Sequence, residues 1–444
     1  MRAAGVNPGA IASFERYWDQ LAQGSTGLIR EATIRPLTDP DRLEEMTETD
    51  QDRHALAATA IIKLNGGLGT SMGLNQAKVL LTARDGRSFL DIIVEQVLAS
   101  RRRHQVRLPL IFMNSFNTRR DTLEALRAYP GLPVEGLPLD IMQSEEPKLL
   151  AGDLSPVEWP ANQALEWCPP GHGDLYPALW DSGLLDALIS QGFRYASVSN
   201  SDNLGAAPSA VLAGWFARTG AGFATEITPR TVMDVKGGHV AVRISDGRFI
   251  LREAAQTHPD DMACFTDPAI HRFVHCNNLW LDLVQVRAKL AASGAVLHLP
   301  LIRNAKTVDP TDPGSPGVIQ IESAMGAAIE SFDNAVAVAV PRSRFLPVKR
   351  TNELALLRSD VFEMGDDHTL GATVSPLPVV ELSQAYTSIA GFEERMAYPL
   401  SLREATRLTV RGDWRFGHRV RVRGDVSLDE TGGVVPDGTD LFPG

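Results

Sequence analysis

From residue 58 to about residue 345, short β-rich runs alternate with amphipathic helical runs. The first of these are TAIIKL, FLDIIVEQVLAS, LPLIFMN, TLEALRAY and PLDIMQ, and FRYASVSN and SAVLAGWFA repeat the pattern further along the chain. Strands that alternate with helices in this way indicate a parallel or mixed sheet covered by helices. We therefore predict an α/β fold for the central part of the chain.

The two ends of the chain follow other patterns. Residues 1 to about 50 have helical, charged character in two segments, ASFERYWDQLAQ and DRLEEMTETD, with Pro36 and Pro40 between them. This pattern predicts an N-terminal helical cap. We divide the chain into a helical segment at 1–50, a central domain at 51–363, and a linker with a C-terminal domain at 364–444.

The C-terminal domain carries a six-residue period. Two series of residues recur at this spacing: Leu408, Trp414, Val420 and Val426, and Val410, Phe416, Val422 and Leu428. A six-residue period with turn glycines is typical of a parallel β-helix, and the alternative is a β-meander with accidental spacing. We predict a small β-helix of about one coil that offers a surface for self-association.

Composition excludes several classes of protein. The 444 residues are 44% hydrophobic and 22% charged, as in ordinary soluble domains, and the net charge of −11 disfavours nucleic acid or an anionic membrane as partners. No run approaches the roughly 18 apolar residues of a membrane helix, and the N-terminus lacks a signal-peptide pattern. The three cysteines form no C-x-x-C pair, so neither disulfides nor a thiolate zinc site is indicated. We expect a cytoplasmic protein.

A glycine-rich loop, NGGLGTSMGLNQAK at 65–78, follows the first predicted strand. Glycines after a strand allow backbone N–H groups to approach an anion, and a lysine at the end of the loop supplies a charge for phosphate. The loop is not a Walker A motif, since the chain has no Gly-Lys dipeptide. It is not a G-x-G-x-x-G motif either, since Met72 occupies the position of the third glycine. A phosphate site using Lys78 and a tight structural turn both remain open, and Lys63 is either a second cation for the phosphates or a solvated strand residue.

Two further stretches mix glycines with polar residues. PPGHGDLYPALWDSGLL brings His172 and Asp174 directly before an amphipathic helix, and SVSNSDNLGA brings Asn200, Asp202 and Asn203 to the carboxyl end of a β-run. Ligand residues of open α/β sheets gather at such strand ends. Asp202 is therefore a candidate Mg²⁺ ligand, and an Asx turn is the alternative.

Two later stretches carry amides and cations. FVHCNNLW interrupts an apolar strand with Asn277 and Asn278, which either brace a turn or contact the hydroxyls of a polar ligand. VPRSRFLPVK clusters Arg342, Arg344 and Lys349 around two prolines. Three cations suit a phosphate-rich site, and a surface patch of ion pairs is the alternative.

Taken in order, these stretches resemble the UTP:glucose-1-phosphate uridylyltransferase family, also called UDP-glucose pyrophosphorylases, in its eukaryotic-type branch. The similar segments span residues 61 to 349 and are KLNGGLGTSMG with Lys78, FMNSFNT, PPGHGDLY, VSNSDNLGA, DVKGG, NNLW, LPLIRNAKTVDP, IESAMGAAIESF and VPRSRFLPVK. FVHCNNLW departs from the family pattern at His275 and Cys276, where an Asn-Thr pair is common. The hexad-patterned tail resembles the family's C-terminal β-helix domain.

The resemblance implies a fold, a reaction and a set of partners. The fold would be a Rossmann-like nucleotidyltransferase domain with a mixed sheet, an N-terminal helical cap and a C-terminal left-handed parallel β-helix. The substrates would be UTP and glucose 1-phosphate, the products UDP-glucose and pyrophosphate, and the cofactor Mg²⁺. In-line attack on the α-phosphorus without a covalent intermediate is the expected mechanism, and a homo-oligomer through the C-terminal domain is expected.

The resemblance also implies roles for particular residues. Leu64, Gly66, Gly67, Gly69, Lys78, Gln143, Gly171 and Asn200 would bind UTP. His172, Asn277, Asn278 and Lys349 would bind the sugar phosphate, with the contact of each asparagine open. Lys78, Lys349 and Asp202 would act on the reacting phosphates, and Asp202 would also face the metal.

Three other functions stay open at this stage. A sister pyrophosphorylase acting on N-acetylglucosamine 1-phosphate or on several sugar 1-phosphates has the same fold. A non-catalytic nucleotide-sugar sensor would keep the binding loop, and an acyltransferase would share the hexapeptide tail. Retention of Lys78, Asp202 and Lys349 together favours the catalytic protein over the sensor.

Overall fold

The structure is a computed structural model that describes residues 1–74, 76–231, 234 and 237–444. Asn75 of the glycine loop lies outside the described residues, and so do Val235 and Lys236 of the DVKGG segment.

The helices that the structure describes are α1 (Pro8–Ala22), α2 (Asp50–Ala57), α3 (Phe89–His104), α4 (Arg119–Leu126), α5 (Leu175–Asp181), α6 (Leu184–Ser190), α7 (Ala210–Thr219), α8 (Met262–Thr266), α9 (Leu283–Ala292), α10 (Thr351–Arg358) and α11 (Ile389–Arg395). None of the helices in the described ranges is both long and apolar enough to cross a membrane.

The strands follow one another as β1 (Ile34–Pro36), β2 (Asp41–Arg42), β3 (Thr59–Asn65), β4 (Thr82–Arg84), β5 (Arg87–Ser88), β6 (Leu110–Asn114), β7 (Asp140–Met142), β8 (Glu146–Pro147), β9 (Leu149–Leu150), β10 (Trp167–Cys168), β11 (Tyr195–Asn200), β12 (Phe223–Pro229), β13 (His239–Arg243), β14 (Phe249–Arg252), β15 (Phe273–Asp282), β16 (Ile302–Thr307), β17 (Gly317–Glu322), β18 (Val336–Ala339), β19 (Phe362–Met364), β20 (Leu370–Ala372), β21 (Val379–Leu382), β22 (Ser401–Val410), β23 (Trp414–Phe416), β24 (Arg421–Leu428), β25 (Gly433–Val435) and β26 (Asp440–Leu441).

A mixed sheet forms the centre of the molecule, with strand order β2-β18-β12-β15-β11-β3-β6-β7. Only β15 runs antiparallel to its neighbours, β12 and β11, while the other adjacent strands pair in parallel. The predicted α/β fold with a mixed sheet is therefore confirmed. Because all strands but β15 point the same way, the loops that follow them gather at one edge of the sheet.

Apolar residues cover both faces of the sheet. Ile61 of β3 packs in one core with α3 and α7, whereas its neighbours Ala60 and Ile62 pack in a second core with α5, α6 and α9. Successive strand residues point to opposite faces, so a strand buried on both sides is apolar at nearly every position. This explains why TAIIKL reads as an apolar run.

The N-terminal segment is less helical than the sequence predicts. α1 covers ASFERYWDQLAQ, but DRLEEMTETD forms β2, a 3-10 turn at Leu43–Glu45 and extended chain before α2 begins. β2 pairs in parallel with β18, where Asp41 faces Val338. Hydrogen bonds to the edge of the sheet thus replace those of a second helix, and the prediction of a helix at this position is wrong.

The C-terminal strands stack in parallel. β21, β22, β24 and β26 form one sheet and β23 and β25 another, with Leu408 opposite Val426 and Val410 opposite Leu428. A β-meander would pair its strands antiparallel, so this pairing disagrees with the meander alternative. The left-handed β-helix and the domain boundaries at 50 and 363 stay predictions.

Candidate active site

The glycine loop leaves the carboxyl end of β3 and turns back over it. Gly69 has φ 66° and its Cβ, if it had one, would lie 2.9 Å from Leu74 Cδ1, so glycine is required for both reasons. The N–H of Lys78 donates to the carbonyl of Gly67 over 3.3 Å, which closes the loop. Leu64, the last apolar residue of β3, accepts from the N–H of Ser201 at 3.0 Å and joins this loop to the next.

No long helix follows the glycine loop directly. The chain makes 3-10 turns at Thr70–Met72 and Lys78–Leu80, and α3 begins only at Phe89. The strand–loop–helix arrangement in which a helix N-terminus faces the phosphates is therefore not present here. Positive charge at the loop comes instead from the side chain of Lys78.

Lys78 and Asp202 meet at the carboxyl edge of the sheet. The Lys78 ammonium donates to Asp202 Oδ2 over 2.5 Å, and both side chains are mostly buried. The second carboxylate oxygen, Asp202 Oδ1, is buried and has no hydrogen-bond partner among the described residues. An unsatisfied, buried carboxylate oxygen fits a hard divalent cation such as Mg²⁺, which binds proteins through one or two carboxylates and takes its other oxygens from phosphates and water.

A glutamine spans the loops on the other side of the glycine loop. Gln143 follows β7, and its Nε2 donates to the carbonyl of Gly171 at 2.8 Å. A Cβ on Gly66 would lie 2.5 Å from Gln143 Oε1, so the glutamine side chain rests against the glycine loop. The hydroxyl of Ser115 supports the loop from below by donating to the carbonyl of Gly66 at 2.8 Å.

Asn277 and Asn278 have different surroundings. Asn277 Nδ2 donates to Asn200 Oδ1 at 3.1 Å, while Asn277 Oδ1 has no partner in the ranges that the structure describes. Asn278 is 2% exposed, and its amide bonds Asn203 at 3.1 Å and Glu226 at 3.0 Å. Asn277 therefore has an acceptor to offer a ligand, whereas the amide of Asn278 is engaged inside the protein.

Two of the three clustered cations are held in ion pairs. Arg344 makes a bidentate contact with Glu226 (2.8 and 2.9 Å), and Arg342 makes one with Asp234 (2.7 and 3.0 Å). Burial alone would raise the pKa of Glu226, but the charge and hydrogen bonds of Arg344 outweigh it and hold that pKa below its usual range. For the two arginines the structure therefore agrees with the ion-pair alternative.

Of the three clustered cations, Lys349 is the exposed one. In the part of the chain that the structure describes, it has neither a hydrogen bond nor an ion pair. The preceding N–H, of Val348, donates to the carbonyl of Asp202 at 3.3 Å, which brings Lys349 beside the Asp202 loop. Its charge also acts on the pKa values of His172 and Glu253. No motif in the sequence marks Glu253, so its position near Lys349 was not predicted.

His172 is held in one tautomer. Its Nδ1 accepts a hydrogen bond from the N–H of Met325 at 2.9 Å, so the ring proton is on Nε2. Burial, aided by the charge of Lys349, lowers the pKa of His172 to about 4. The imidazole is therefore neutral near pH 7 and acts as a hydrogen-bond donor. Asp174 instead lies in the interior, where its Oδ2 accepts from the N–H of Ser144 at 2.6 Å.

Lys63 lies below the site rather than in it. Its side chain is 1% exposed and its ammonium donates to Ser199 Oγ at 2.8 Å and to the carbonyl of Ala206 at 2.9 Å. Burial, with the nearby charge of Arg344, lowers the pKa of Lys63 to about 7. Lys63 thus braces the loop that carries Asp202, and its burial disagrees with a solvated strand residue.

Residues of the FMNSFNT segment form a buried network that the sequence analysis did not assign. Asn65 Nδ2 donates to Asn114 Oδ1 at 2.8 Å, Ser201 donates to Asn65 Oδ1 at 3.2 Å, and Thr118 donates to the carbonyl of Asn65 at 2.6 Å. Polar residues at the ends of two apolar strands were the available signal. The network ties the starts of three loops together below the cleft.

Comparison with known proteins identifies the relatives of this chain. Residues 11–423 match the family model described as UTP–glucose-1-phosphate uridylyltransferase. The enzyme of that name from Musa acuminata is 36% identical over 401 residues, covering 89% of this chain and 84% of the relative. The one from Saccharomyces cerevisiae is 36% identical over 406 residues, covering 90% and 80%. The crystal structure of a mutant UDP-glucose pyrophosphorylase from Leishmania major in complex with UDP-glucose matches with a TM-score of 0.94 at 40% identity, over 100% of this chain and 96% of that one.

Proposed function

The chain belongs to the UTP–glucose-1-phosphate uridylyltransferase family of nucleotidyltransferases, and we propose that it makes UDP-glucose and pyrophosphate from UTP and glucose 1-phosphate. The observation that carries this proposal is the contact between Lys78 of the glycine loop and Asp202 of the β11 loop. It joins a phosphate-binding cation and a metal-binding carboxylate at the carboxyl edge of the sheet.

UTP binds along the glycine loop. Gly66, Gly67 and Gly69 let the backbone approach the nucleotide closely, and Lys78 contacts its phosphates. Gln143 reads the uracil beside Gly171, and Asn200 helps to hold the nucleotide. The contacts of Gln143 with both Gly66 and Gly171 support this arrangement, because they fix the amide between the two loops.

Asp202 would hold Mg²⁺ through Oδ1, which has no partner among the described residues, and the ion would supply positive charge to offset that of the phosphates. Lys78 keeps Asp202 oriented through its hydrogen bond to Oδ2.

The sugar phosphate binds at the other end of the cleft. Lys349 neutralises its phosphate, and His172 donates a hydrogen bond to it from Nε2. Asn277 contacts the glucose, and its unpartnered Oδ1 supports this role. The neutral His172 contributes direction rather than charge, since its Nδ1 is occupied by the N–H of Met325.

The reaction is an in-line attack by a phosphate oxygen of glucose 1-phosphate on the α-phosphorus of UTP. The new P–O bond forms as the bond to pyrophosphate breaks, so no covalent enzyme intermediate is made. The attacking oxygen is already ionised near neutral pH, and no general base is needed. The side chains of Lys78, Lys349 and His172 position two anions and offset their repulsion.

Pyrophosphate release by the purified protein with UTP and Mg²⁺ tests the proposal. Glucose 1-phosphate, galactose 1-phosphate, N-acetylglucosamine 1-phosphate and no sugar are compared in parallel. Selective release with glucose 1-phosphate is the expected result. Release with another sugar assigns the protein to a sister activity, and no release from a folded protein that still binds UTP favours the sensor.

The stereochemistry at phosphorus tests the mechanism separately. UTP carrying sulfur at the α-phosphorus is converted with glucose 1-phosphate, and the configuration of the product is determined. One in-line displacement inverts the configuration. Retention would mean two displacements and hence a covalent intermediate. Self-association through the C-terminal strands stays a prediction, which light scattering of the purified protein checks.

A further inference from the structure

His275 lies on β15 two residues before Asn277, at an irregularity in the pairing of β15 with β12, and Asn277 itself has φ 56°. The backbone N–H of His275 donates to the carbonyl of Gly238 at 2.8 Å, and its side chain is 6% exposed. Burial, together with the neighbouring His172, lowers the pKa of His275 to about 3. Two neutral imidazoles therefore stand close together at the sugar end of the cleft.

The first turn of a 3-10 helix (Met325–Ser331), at Ala324–Gly326, holds His172 in place. The N–H of Met325 donates to His172 Nδ1, and the carbonyl of Met325 accepts from the hydroxyl of the fully buried Tyr176 at 2.7 Å. The turn thus fixes both the orientation and the tautomer of His172. Any shift of this turn changes where the Nε2 proton points.

The His275 ring occupies the space beside this turn. A Cβ on Gly326 would lie 2.7 Å from His275 Cε1 and 3.1 Å from its Nε2, closer than side-chain atoms pack. Gly326 is the residue directly after Met325. The His275 ring therefore packs against the turn next to the contact between the turn and His172. A side chain larger than glycine at position 326 would clash with this ring.

We propose that His275 is a positioning residue for His172, acting through the Ala324–Gly326 turn, with Gly326 as the glycine that accommodates its ring. The proposal rests on the proposed function, in which His172 Nε2 donates to the sugar phosphate. Truncating His275 leaves a cavity behind the turn, which then loses its fixed relation to His172.

The tautomer of His172 is measured without any substrate. Nitrogen-15 spectra of histidine-labelled protein distinguish protonated from unprotonated ring nitrogens, and His172→Gln identifies the His172 signals among the 10 histidines. In the wild-type protein, His172 should be protonated at Nε2 alone. His275→Ala should give a mixture of His172 tautomers, while replacing an exposed histidine, His298→Ala, should leave the His172 tautomer unchanged.

Kinetics complete the test. His275→Ala should lower kcat/KM for glucose 1-phosphate by about 10- to 100-fold, with the KM for UTP nearly unchanged, because only one substrate loses its positioned donor. The loss of kcat/KM caused by Gly326→Ala should be smaller in the His275→Ala background than in the wild type, since one of the clashes of the new Cβ is then removed. Gly152→Ala, where a Cβ would meet nothing within 4 Å, is the control.

A His172 tautomer unchanged by His275→Ala would overturn the proposal, whatever the enzyme does with its substrates. Equal losses of kcat/KM on Gly326→Ala in the wild type and in the His275→Ala background would overturn the proposal as well. Failure of the proposed function gives another result, namely an intact tautomer effect in a protein that releases no pyrophosphate.

Discussion

The ammonium of Lys78 lies 2.5 Å from Asp202 Oδ2, although 124 residues separate the two along the chain. The contact satisfies one oxygen of the carboxylate, and the other is buried without a partner among the described residues. In the proposed function, the phosphates would meet a lysine and a carboxylate that already hold each other in place, so the phosphate site would be preorganised.

Replacing Asp202 should change the metal requirement. Asp202→Ala removes the proposed Mg²⁺ ligand and also releases Lys78, so turnover should fall and the Mg²⁺ concentration needed for half-maximal activity should rise. Titrating Mg²⁺ at saturating UTP and glucose 1-phosphate measures both effects. Asp186→Ala, which removes a largely exposed partner of Arg287, is the control. An unchanged metal titration would count against the role of Asp202.

Lys349 should be essential for turnover and dispensable for folding. Lys349→Ala should lower kcat by about 10² to 10³, or about 2.7 to 4 kcal/mol, as expected for a group aimed at developing charge. Thermal unfolding should stay close to that of the wild type, because Lys349 is exposed. The neighbouring Arg350→Ala removes an equally exposed cation and should retain activity. Near-normal turnover of Lys349→Ala would exclude the residue from the mechanism.

Arg344 should matter for stability rather than for phosphate binding. Arg344→Ala leaves the fully buried Glu226 without its cation, which should lower the free energy of unfolding by about 3 to 5 kcal/mol. Arg415→Ala breaks an exposed pair with Glu394 and should cost only about 0 to 1 kcal/mol. Urea denaturation compares the two. Similar losses in both variants would contradict a buried structural role for Arg344.

Asp174 should make the protein less stable as the pH rises towards neutrality. Burial raises the pKa of Asp174 to about 7, so folding favours the protonated carboxyl. This contribution to stability is complete below the pKa of the unfolded chain and is lost as the pH rises through about 7, at up to about 1.4 kcal/mol per pH unit.

Asp174→Asn removes this titration while it keeps an oxygen for the N–H of Ser144. The difference in unfolding free energy between wild type and Asp174→Asn, measured in urea at several pH values between about 4 and 8, should therefore change steadily with pH. The wild type should lose stability relative to the variant as the pH rises. A constant difference would mean that Asp174 ionises normally in the folded protein.

The sequence predicted the central fold well, because its signals there are local. Apolar runs such as TAIIKL and amphipathic runs such as FLDIIVEQVLAS specify β3 and α3 through the residues that each element buries. The prediction was wrong for DRLEEMTETD, where pairing of β2 with the sheet edge outweighs helical propensity. Pairing with a strand almost 300 residues away leaves no local pattern, as Asp41 and Val338 illustrate.

For the site, the sequence by itself determined which residue types are available. It fixed the glycines that a close backbone approach requires, the lysine that ends the loop and the polar residues that follow β11 and interrupt β15. These are properties of short segments, and their chemistry follows from residue type and spacing.

Only the tertiary structure decided how those residues are used. It pairs Arg342 and Arg344 with acids, leaves Lys349 exposed and buries Lys63 beneath the Asp202 loop. It also engages the amide of Asn278, while Asn277 Oδ1 has no partner among the described residues. The physical reason is that burial and ion pairing depend on partners from distant segments. A charged residue in the sequence has no fixed role until folding brings its counter-ion or removes its water.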